Sequence, residues 1–349
     1  MGRTIRWERG TVVTIDQTLL PHHFKIIRLR TLPQVLEAIR EMKIRGAPII
    51  GVAAAYALAL EAYRDRHVPR QQLVRQLRKA GDLLRSTRPT GRDMHRAVER
   101  VLSRVMTASG DVSRITLLEA QSIANEYERA ERQLVKNGQS LIEDGDVILT
   151  HCNSGPLATV AWGTGLGILL RAWKSGKRIS VIATETRPML QGARLTAWEL
   201  KHNGVPFKLI TDSMVGYVLA RGLADKVLVG ADRIWKDGSV ANKIGTLTIA
   251  TLAKEYRVPF YVAAPMSTFD PESSPNYSII ETRDPREILE IGGERIAPPG
   301  TKCLNPAFDI TPAEHISAIV TERGVLRPPF RRSINRALSR RGRTTHTLE

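Results

Sequence analysis

Two residues of this chain, Cys152 and Asp232, have side chains suited to moving protons. Cys152 follows an apolar run at 147–150 and precedes Asn-Ser-Gly and an expected helix. A thiol at a helix N-terminus has its pKa lowered toward neutrality, which suits acid–base chemistry at physiological pH. Asp232 follows a second apolar run, at 227–229. The alternatives are an inert core thiol, and a carboxylate that caps a turn or pairs with Arg233.

A third group of residues, Arg45-Gly46-Ala47-Pro48, is suited to binding an anion. It precedes a run of small apolar residues at 49–60 that is typical of a buried helix, and Pro48 fits the first turn of that helix. Gly46 and Ala47 leave backbone N–H groups open at the positive helix end, and Arg45 adds charge. These residues predict a phosphate cradle, with a simple turn and a surface arginine as the alternative.

The order of the predicted elements indicates an α/β protein. Residues 1–130 have mainly helical periodicity, whereas short apolar runs alternate with helical segments from residue 145 onward. This alternation predicts a parallel sheet covered on both faces, with strands at 147–150, 180–183, 208–210, 227–229 and 259–263. Because only about five or six strands are visible, we expect a Rossmann-like open sheet rather than a barrel.

The same pattern divides the chain into parts. We expect a mainly helical N-terminal domain over residues 1–130, a Rossmann-like catalytic domain over 131–330, and a flexible basic tail over 331–349. Polar groups follow four of the predicted strands, at the edge where open parallel sheets bind ligands. These groups are His151-Cys152-Asn153, Thr184-Glu185-Thr186-Arg187, Thr211-Asp212-Ser213 and Gly230-Ala231-Asp232-Arg233.

Composition narrows the class of protein. The chain has 349 residues, a formal net charge of +17 and two cysteines, Cys152 and Cys303. Two cysteines cannot build a disulfide framework or a structural zinc site, and no apolar run is long enough to span a bilayer. We therefore expect a cytoplasmic protein without a membrane partner. The basic balance suits an anionic small molecule, and the Arg-rich tail has no aromatic pattern of a nucleic-acid module, so nucleic acid is not expected as a partner.

Several segments together resemble the methylthioribose-1-phosphate isomerase family, in family order from Arg45 to Phe330. They are RGAPIIG (45–51), RPTG (88–91), LTHCNSGPLAT (149–159), ETRPMLQGARLTAWEL (185–200), DSMVGYVL (212–219), GADRIWKDGSVANKIGT (230–246) and the stretch from IGGERIAPPG to LRPPF (291–330). The resemblance implies a helical N-terminal domain joined to a Rossmann-like domain. That fold is shared with ribose-1,5-bisphosphate isomerase and with regulatory subunits of a translation-initiation guanine-nucleotide exchange factor.

The resemblance also implies an activity, the conversion of 5-methylthioribose 1-phosphate to its ketose in methionine salvage, and a set of site residues. Cys152 and Asp232 match the family's catalytic pair. The positions that match substrate contacts are Arg45, Ala47, Arg88, Gln191, Asn242 and Lys243, and we add Gly46 as part of the predicted phosphate cradle. Family members are commonly dimers, so a homodimer is expected. No metal or organic cofactor is expected.

Two other classes remain open from the sequence. One is an isomerase of the same scaffold that acts on ribose 1,5-bisphosphate or a 5-deoxypentose 1-phosphate. The other is a non-catalytic regulatory subunit, against which the presence of both Cys152 and Asp232 argues. The sequence departs from the family at Ser154, where alanine is usual, and at Gly91-Arg92-Asp93 after the RPT stretch. Whether hydrogen moves between the sugar carbons as a proton or as a hydride stays open.

Overall fold

The computed structural model describes residues 2–87, 91–277 and 280–339. The chain forms two compact units. The first comprises the residues up to Arg132 together with Asn153–Gly167, and the second comprises Gln133–Cys152 and the residues from Ile168 onward. The segment Asn153–Gly167 therefore belongs with the N-terminal unit, whereas the sequence placed it in the Rossmann-like domain.

The first unit is mainly helical, as predicted. A small antiparallel sheet of β1 (Arg6–Glu8), β2 (Thr11–Ile15) and β3 (Ile26–Leu29) precedes five helices in the described part of this unit. These are α1 (Leu32–Arg40), α2 (Ala47–Arg64), α3 (Arg70–Thr87), α4 (Arg92–Thr107) and α5 (Val112–Gly138). Helix α2 is apolar on nearly all sides and lies buried among α1, α3 and α4, which is what its alanine-rich sequence predicts.

The second unit contains a seven-stranded sheet. In spatial order its strands are β16 (Gly324–Leu326), β15 (Ala318–Thr321), β10 (Phe260–Ala263), β7 (Lys226–Val229), β4 (Val147–Thr150), β5 (Ser180–Thr184) and β6 (Phe207–Ile210). Every neighbouring pair is parallel except β15 and β16. All five strands predicted from the apolar runs are present, and the open parallel sheet confirms the α/β fold class.

A second, four-stranded sheet in this unit carries the GADRI…ANK stretch. Its order is β11 (Phe269–Asp270), β8 (Arg233–Trp235), β9 (Val240–Lys243) and β14 (Phe308–Thr311), and a short hairpin pairs β12 (Glu290–Ile291) with β13 (Glu294–Arg295). The helices of this unit are α6 (Gly165–Lys174), α7 (Ala197–His202), α8 (Val215–Ala220), α9 (Thr246–Glu255), α10 (Arg286–Leu289) and α11 (Phe330–Ser339).

Helix α11 differs from the expected flexible tail. Its residues Ile334 and Ala337 are buried and belong to the same apolar core as Leu326 and Phe330. The spacing of Phe330, Ile334 and Ala337 places them on one helical face, and the surrounding arginines obscured that face in the sequence. Within the described residues, no helix combines the length and the apolarity needed to cross a membrane.

Candidate active site

Cys152 lies just beyond the end of strand β4 in a strained backbone conformation. Its φ of 60° is in the left-handed region, which costs a non-glycine residue of the order of 1–3 kcal/mol. Two threonines of the second unit hold the Cys152 backbone. The Cys152 N–H donates to Thr186 Oγ1 at 2.9 Å, and Thr196 Oγ1 donates to the Cys152 carbonyl oxygen at 2.6 Å. Neither Cys152 nor Cys303 forms a disulfide in the described part of the chain.

The helix expected directly after Cys152 is not there. Only a three-residue 3₁₀ turn, Pro156–Ala158, follows, and α6 does not begin until Gly165. The prediction of a helix N-terminus beside the Cys152 thiol is therefore wrong. The dipole of a helix acts over its first turn, and no helical turn begins next to this thiol along the chain.

His151 is fully enclosed and joins two loops at the edge of the sheet. Its Nδ1 lies 2.6 Å from Thr184 Oγ1, and its Nε2 lies 2.9 Å from the carbonyl oxygen of Ile244. Burial lowers the pKa of His151 below its ordinary value, so its ring is neutral at physiological pH. A neutral imidazole has one N–H, and a carbonyl oxygen can only accept, so Nε2 carries the proton.

The segment after β5 is built around Thr186 and Gln191. Thr186 also has a left-handed φ, 65°, and Asp212 accepts the N–H groups of Thr186 at 2.8 Å and of Arg187 at 2.6 Å. Gly192 packs against β5 so closely that a Cβ there would lie 1.7 Å from the Thr184 carbonyl oxygen. Gln191 is only 4% exposed, and its Oε1 has no hydrogen-bond partner among the described residues. An orphaned buried acceptor of this kind is suited to a ligand hydroxyl.

Asp232 follows β7, the strand beside β4. In the pairing of these two parallel strands Leu149 is opposite Val227, so Cys152 and Asp232 follow the same edge of neighbouring strands. Asp232 is exposed, and its N–H donates to the Ala241 carbonyl oxygen at 2.9 Å. Arg233, the partner considered as an alternative, forms an ion pair with Asp270 at 3.4 Å. The carboxylate is thus accessible from solvent and adjoins strand β9.

Asn242 and Lys243 end strand β9. Asn242 is buried and its Nδ2 donates to Thr246 Oγ1 at 3.0 Å, while Lys243 Nζ donates to the Ala307 carbonyl oxygen at 3.1 Å. Nearby, Asp309 accepts the N–H groups of Gly245 and Leu247 at the start of α9. Burial raises the pKa of Asp309 to about 6. No carboxylate in the described ranges forms an ion pair with Lys243, so its charge is available to an anionic or hydroxylated ligand.

The predicted phosphate cradle lies in the first unit, and its arginine is not on the surface. Arg45 is 9% exposed, and its guanidinium donates to Asn153 Oδ1 at 2.9 Å and to the Asn153 carbonyl oxygen at 3.1 Å. Both acceptors are neutral, and none of the described carboxylates pairs with Arg45. Burial of a charge costs desolvation energy, which a bound anion beside the Arg45 guanidinium would offset. Gly46 has a φ of 104° and precedes α2, whose first residue is Ala47, so helix N–H groups begin here.

One predicted contact cannot be placed, and one buried carboxylate was not predicted. Arg88, a predicted substrate contact, lies outside the described residues. Glu131, which sequence reasoning missed, is fully buried in the first unit and accepts the N–H groups of Val160, Ala161 and Trp162, each at 2.9 Å. Burial raises the pKa of Glu131 to about 7. Its only sequence signal was a charge on the apolar face of a helix.

The candidate residues form separate groups in the two units. The second unit brings together Cys152, Thr186 and Thr196, and it places Asp232 beside β9, which carries Asn242 and Lys243. The first unit brings Arg45 to Asn153. In the ranges that the structure describes, no group of three or more His, Cys, Asp or Glu side chains is arranged to hold a metal ion.

The chain is an α/β protein with an open, Rossmann-like sheet, and its thiol and carboxylate follow neighbouring strands. Proteins of this class bind ligands beyond the carboxyl ends of the strands. Residues 43–328 match the Initiation factor 2 subunit family, and the chain belongs to this family. It is 46% identical over 341 residues to a methylthioribose-1-phosphate isomerase of Pelotomaculum thermopropionicum, which covers 96% of this chain and 94% of the relative. A 5-deoxyribose 1-phosphate isomerase of Moorella thermoacetica is 46% identical over 340 residues, covering 96% and 97%.

The fold agrees with a solved relative over nearly its whole length. The crystal structure of 5-methylthioribose 1-phosphate isomerase from Pyrococcus horikoshii superposes with a TM-score of 0.91 at 40% identity, covering 97% of this chain and 96% of that one. The helical and Rossmann-like halves implied by the sequence resemblance are therefore confirmed.

Proposed function

We propose that this protein is an aldose–ketose isomerase that converts 5-methylthioribose 1-phosphate to 5-methylthioribulose 1-phosphate in methionine salvage. One observation carries the proposal. Cys152 is held at the end of β4 and Asp232 follows the adjacent strand β7, in a chain 46% identical to a protein named for this activity. A thiol and a carboxylate beyond the same sheet edge provide the two proton-transfer groups that an isomerase needs.

The substrate decides what these groups must do. Its anomeric oxygen carries phosphate, so the ring cannot open to a free aldehyde as an ordinary sugar does. The enzyme must break the bond between C1 and the ring oxygen and move one hydrogen from C2 to C1. We assign the proton traffic at the ring and hydroxyl oxygens to Asp232, and the transfer between C2 and C1 to Cys152. No atom is gained or lost, as an isomerisation requires.

Binding is assigned to the remaining residues. Arg45, buried without a counter-ion, and the backbone at Gly46 and Ala47 would anchor the phosphate, with Arg88 as a further contact. The buried carboxamide of Gln191 and the side chains of Asn242 and Lys243 would contact the sugar hydroxyls. Fixing the substrate in this way supplies much of the rate enhancement, because oriented reactants avoid the entropy cost of a chance encounter.

A second substrate is favoured by one relative. The Moorella thermoacetica protein named as 5-deoxyribose 1-phosphate isomerase is as similar to this chain as the Pelotomaculum protein. Both sugars carry the phosphate on C1 and differ only at C5, where one has a methylthio group and the other has hydrogen. The residues assigned to C1, C2 and the phosphate would serve both substrates.

Direct assay of the purified chain tests the proposal. We expect ketose formation from 5-methylthioribose 1-phosphate and slower formation from 5-deoxyribose 1-phosphate. Ribose 1,5-bisphosphate is assayed as the third candidate substrate. Asp232→Asn keeps the shape of the side chain but removes its proton-transfer capacity, so turnover should nearly vanish with binding retained. Asparagine caps a turn about as well as aspartate, so turnover like that of the unmodified protein at an unchanged Tm would defeat the assignment of Asp232.

Inactivity of the unmodified protein with all three sugar phosphates would instead favour the non-catalytic regulatory-subunit class. We also propose that the protein acts in the cytoplasm as a homodimer.

A further inference from the structure

A series of four hydrogen bonds runs from the backbone N–H of Cys152 through three buried side chains to a backbone carbonyl oxygen. The proposed mechanism does not use these three side chains. The side chains are those of Thr186, Thr184 and His151, each of which is at most 2% exposed. Thr186 Oγ1 accepts the Cys152 N–H at 2.9 Å and lies 3.1 Å from Thr184 Oγ1, which lies 2.6 Å from His151 Nδ1. His151 Nε2 then meets the carbonyl oxygen of Ile244 at 2.9 Å.

The donors of this chain have only one consistent direction. Since the Ile244 carbonyl can only accept, His151 Nε2 bears the proton of the neutral ring and Nδ1 is a bare acceptor. The Thr184 hydroxyl therefore donates its single proton to Nδ1 of His151, and its oxygen can only accept a hydrogen bond from Thr186. The Thr186 hydroxyl proton is directed at Thr184, whether at Oγ1 or at the carbonyl oxygen 3.3 Å away. The lone pairs of Thr186 are thus left to accept the N–H of Cys152.

This series of hydrogen bonds ends at Cys152, whose backbone conformation is strained. Cys152 has a φ of 60°, a region that thiol-bearing residues seldom occupy unless the surroundings hold them there. Thr186 itself has a φ of 65°, uncommon for a β-branched residue, and the two backbone N–H groups bound to Asp212 hold it in place. Two neighbouring strained residues joined by one hydrogen bond indicate a geometry that serves the site.

We propose that Thr186 is a positioning residue for Cys152. Its hydroxyl, oriented by Thr184 and His151, holds the Cys152 backbone in the left-handed conformation that presents the thiol to the substrate. Thr196 holds the carbonyl end of the same residue. The catalytic part of this inference rests on the proposed function, whereas the effect on the thiol does not.

The test compares Thr186→Val, which removes the hydroxyl but keeps the shape, with Thr186→Ser, which keeps the hydroxyl. Thr321→Val is the matched control, because Thr321 is also fully buried in the second unit and its hydroxyl also donates to a carbonyl oxygen, that of Gly324. We expect Thr186→Val to lower kcat at least ~10-fold with KM within about threefold, since misplacement of a reacting group affects turnover more than binding. Thr186→Ser should restore kcat.

Alkylation of the thiol by iodoacetamide gives a readout that needs no substrate. In a Cys303→Ser background, Cys152 is the single cysteine of the chain. Releasing the backbone of a half-buried thiol opens it to reagent, so Thr186→Val should be alkylated at least about threefold faster than its parent, and Thr321→Val should not. If Thr186→Val does not fold, Thr184→Val carries the same two measurements.

The outcomes separate this inference from the proposed function. If the unmodified protein isomerises none of the sugar phosphates, the proposed function fails, and the alkylation rates alone decide the role of Thr186. A Thr186→Val variant that matches Thr321→Val in both kcat and alkylation rate would overturn the inference. So would a Thr186→Ser variant as impaired as Thr186→Val, because packing and not the hydroxyl would then be responsible.

Discussion

Replacing Gly46 with alanine should disturb the phosphate cradle more than a glycine-to-alanine change at a position without close contacts would. Gly46 has a φ of 104°, and a Cβ there would lie 2.2 Å from the carbonyl oxygen of Ala158. The left-handed backbone costs alanine about 1–2 kcal/mol. Relieving the contact to an ordinary van der Waals distance requires a further movement of roughly 1 Å, and a displacement of that size can cost ~100-fold in rate.

Gly110 offers a matched control in the same unit. Its φ of 111° is nearly that of Gly46, and a Cβ there would meet no atom within 4 Å. Gly110→Ala should therefore carry the backbone cost alone, about 1–2 kcal/mol, and leave kcat/KM within about twofold of the unmodified protein. Gly46→Ala should lower kcat/KM by ~100-fold and weaken inhibition by inorganic phosphate. Equal kcat/KM values for the two variants, measured on folded protein, would refute the cradle at Gly46.

Four further outcomes are expected. Cys152→Ser should reduce turnover at least ~100-fold with binding retained, because the pKa of a serine hydroxyl lies far above neutrality and makes it a poor acid–base catalyst, while Cys303→Ser should be silent in the same steady-state assay. Ending the chain after Phe330 should lower Tm by about 5 °C in a thermal scan, since it removes buried Ile334 from the core, whereas ending it after Ser339 should not. Burial raises the pKa of Glu131 to about 7 from an ordinary 4.5, so its contribution to stability is complete below pH 4.5 and is lost as pH rises through about 7. The free energy of unfolding of Glu131→Gln, measured in urea between pH 5 and 8, should not show that loss. The same dependence of this free energy on pH in the variant and the unmodified protein would contradict the prediction. Sedimentation should give twice the chain mass of 38.8 kDa, and a monomer at assay concentration would count against the proposed dimer.

Local signals account for the part of the fold that the sequence predicted. The strands at 147–150 and 227–229 are short apolar runs, and buried parallel strands have few other ways to be encoded. Helix α2 was predicted from the alanine-rich run after Pro48, which both buries well and starts a helix. The exception is α11, where three arginines lie between Phe330 and Ser339 and the buried apolar positions recur only every third or fourth residue.

Contacts between distant residues account for what the sequence could not predict. Glu131 binds N–H groups 29 to 31 residues further along the chain, and no spacing in the sequence announces that pairing. Asp212 was noticed as a polar residue after a strand, but its partners at 186 and 187 follow the neighbouring strand β5. Only the order of strands in the sheet brings such groups together, and strand order is a property of the whole fold.

The backbone that follows Cys152 differs from the one that the sequence predicted. The sequence predicted a helix N-terminus beside this thiol, whose dipole would favour the thiolate. The structure has a 3₁₀ turn at 156–158 and no α-helix before Gly165, so that source of charge stabilisation is missing along the chain. What Cys152 has instead is a fixed backbone, held at its N–H by Thr186 and at its carbonyl oxygen by Thr196. The structure therefore supports positioning of the thiol as the protein's contribution at this residue, and position is a property that an isosteric change at Thr186 can alter without touching the thiol.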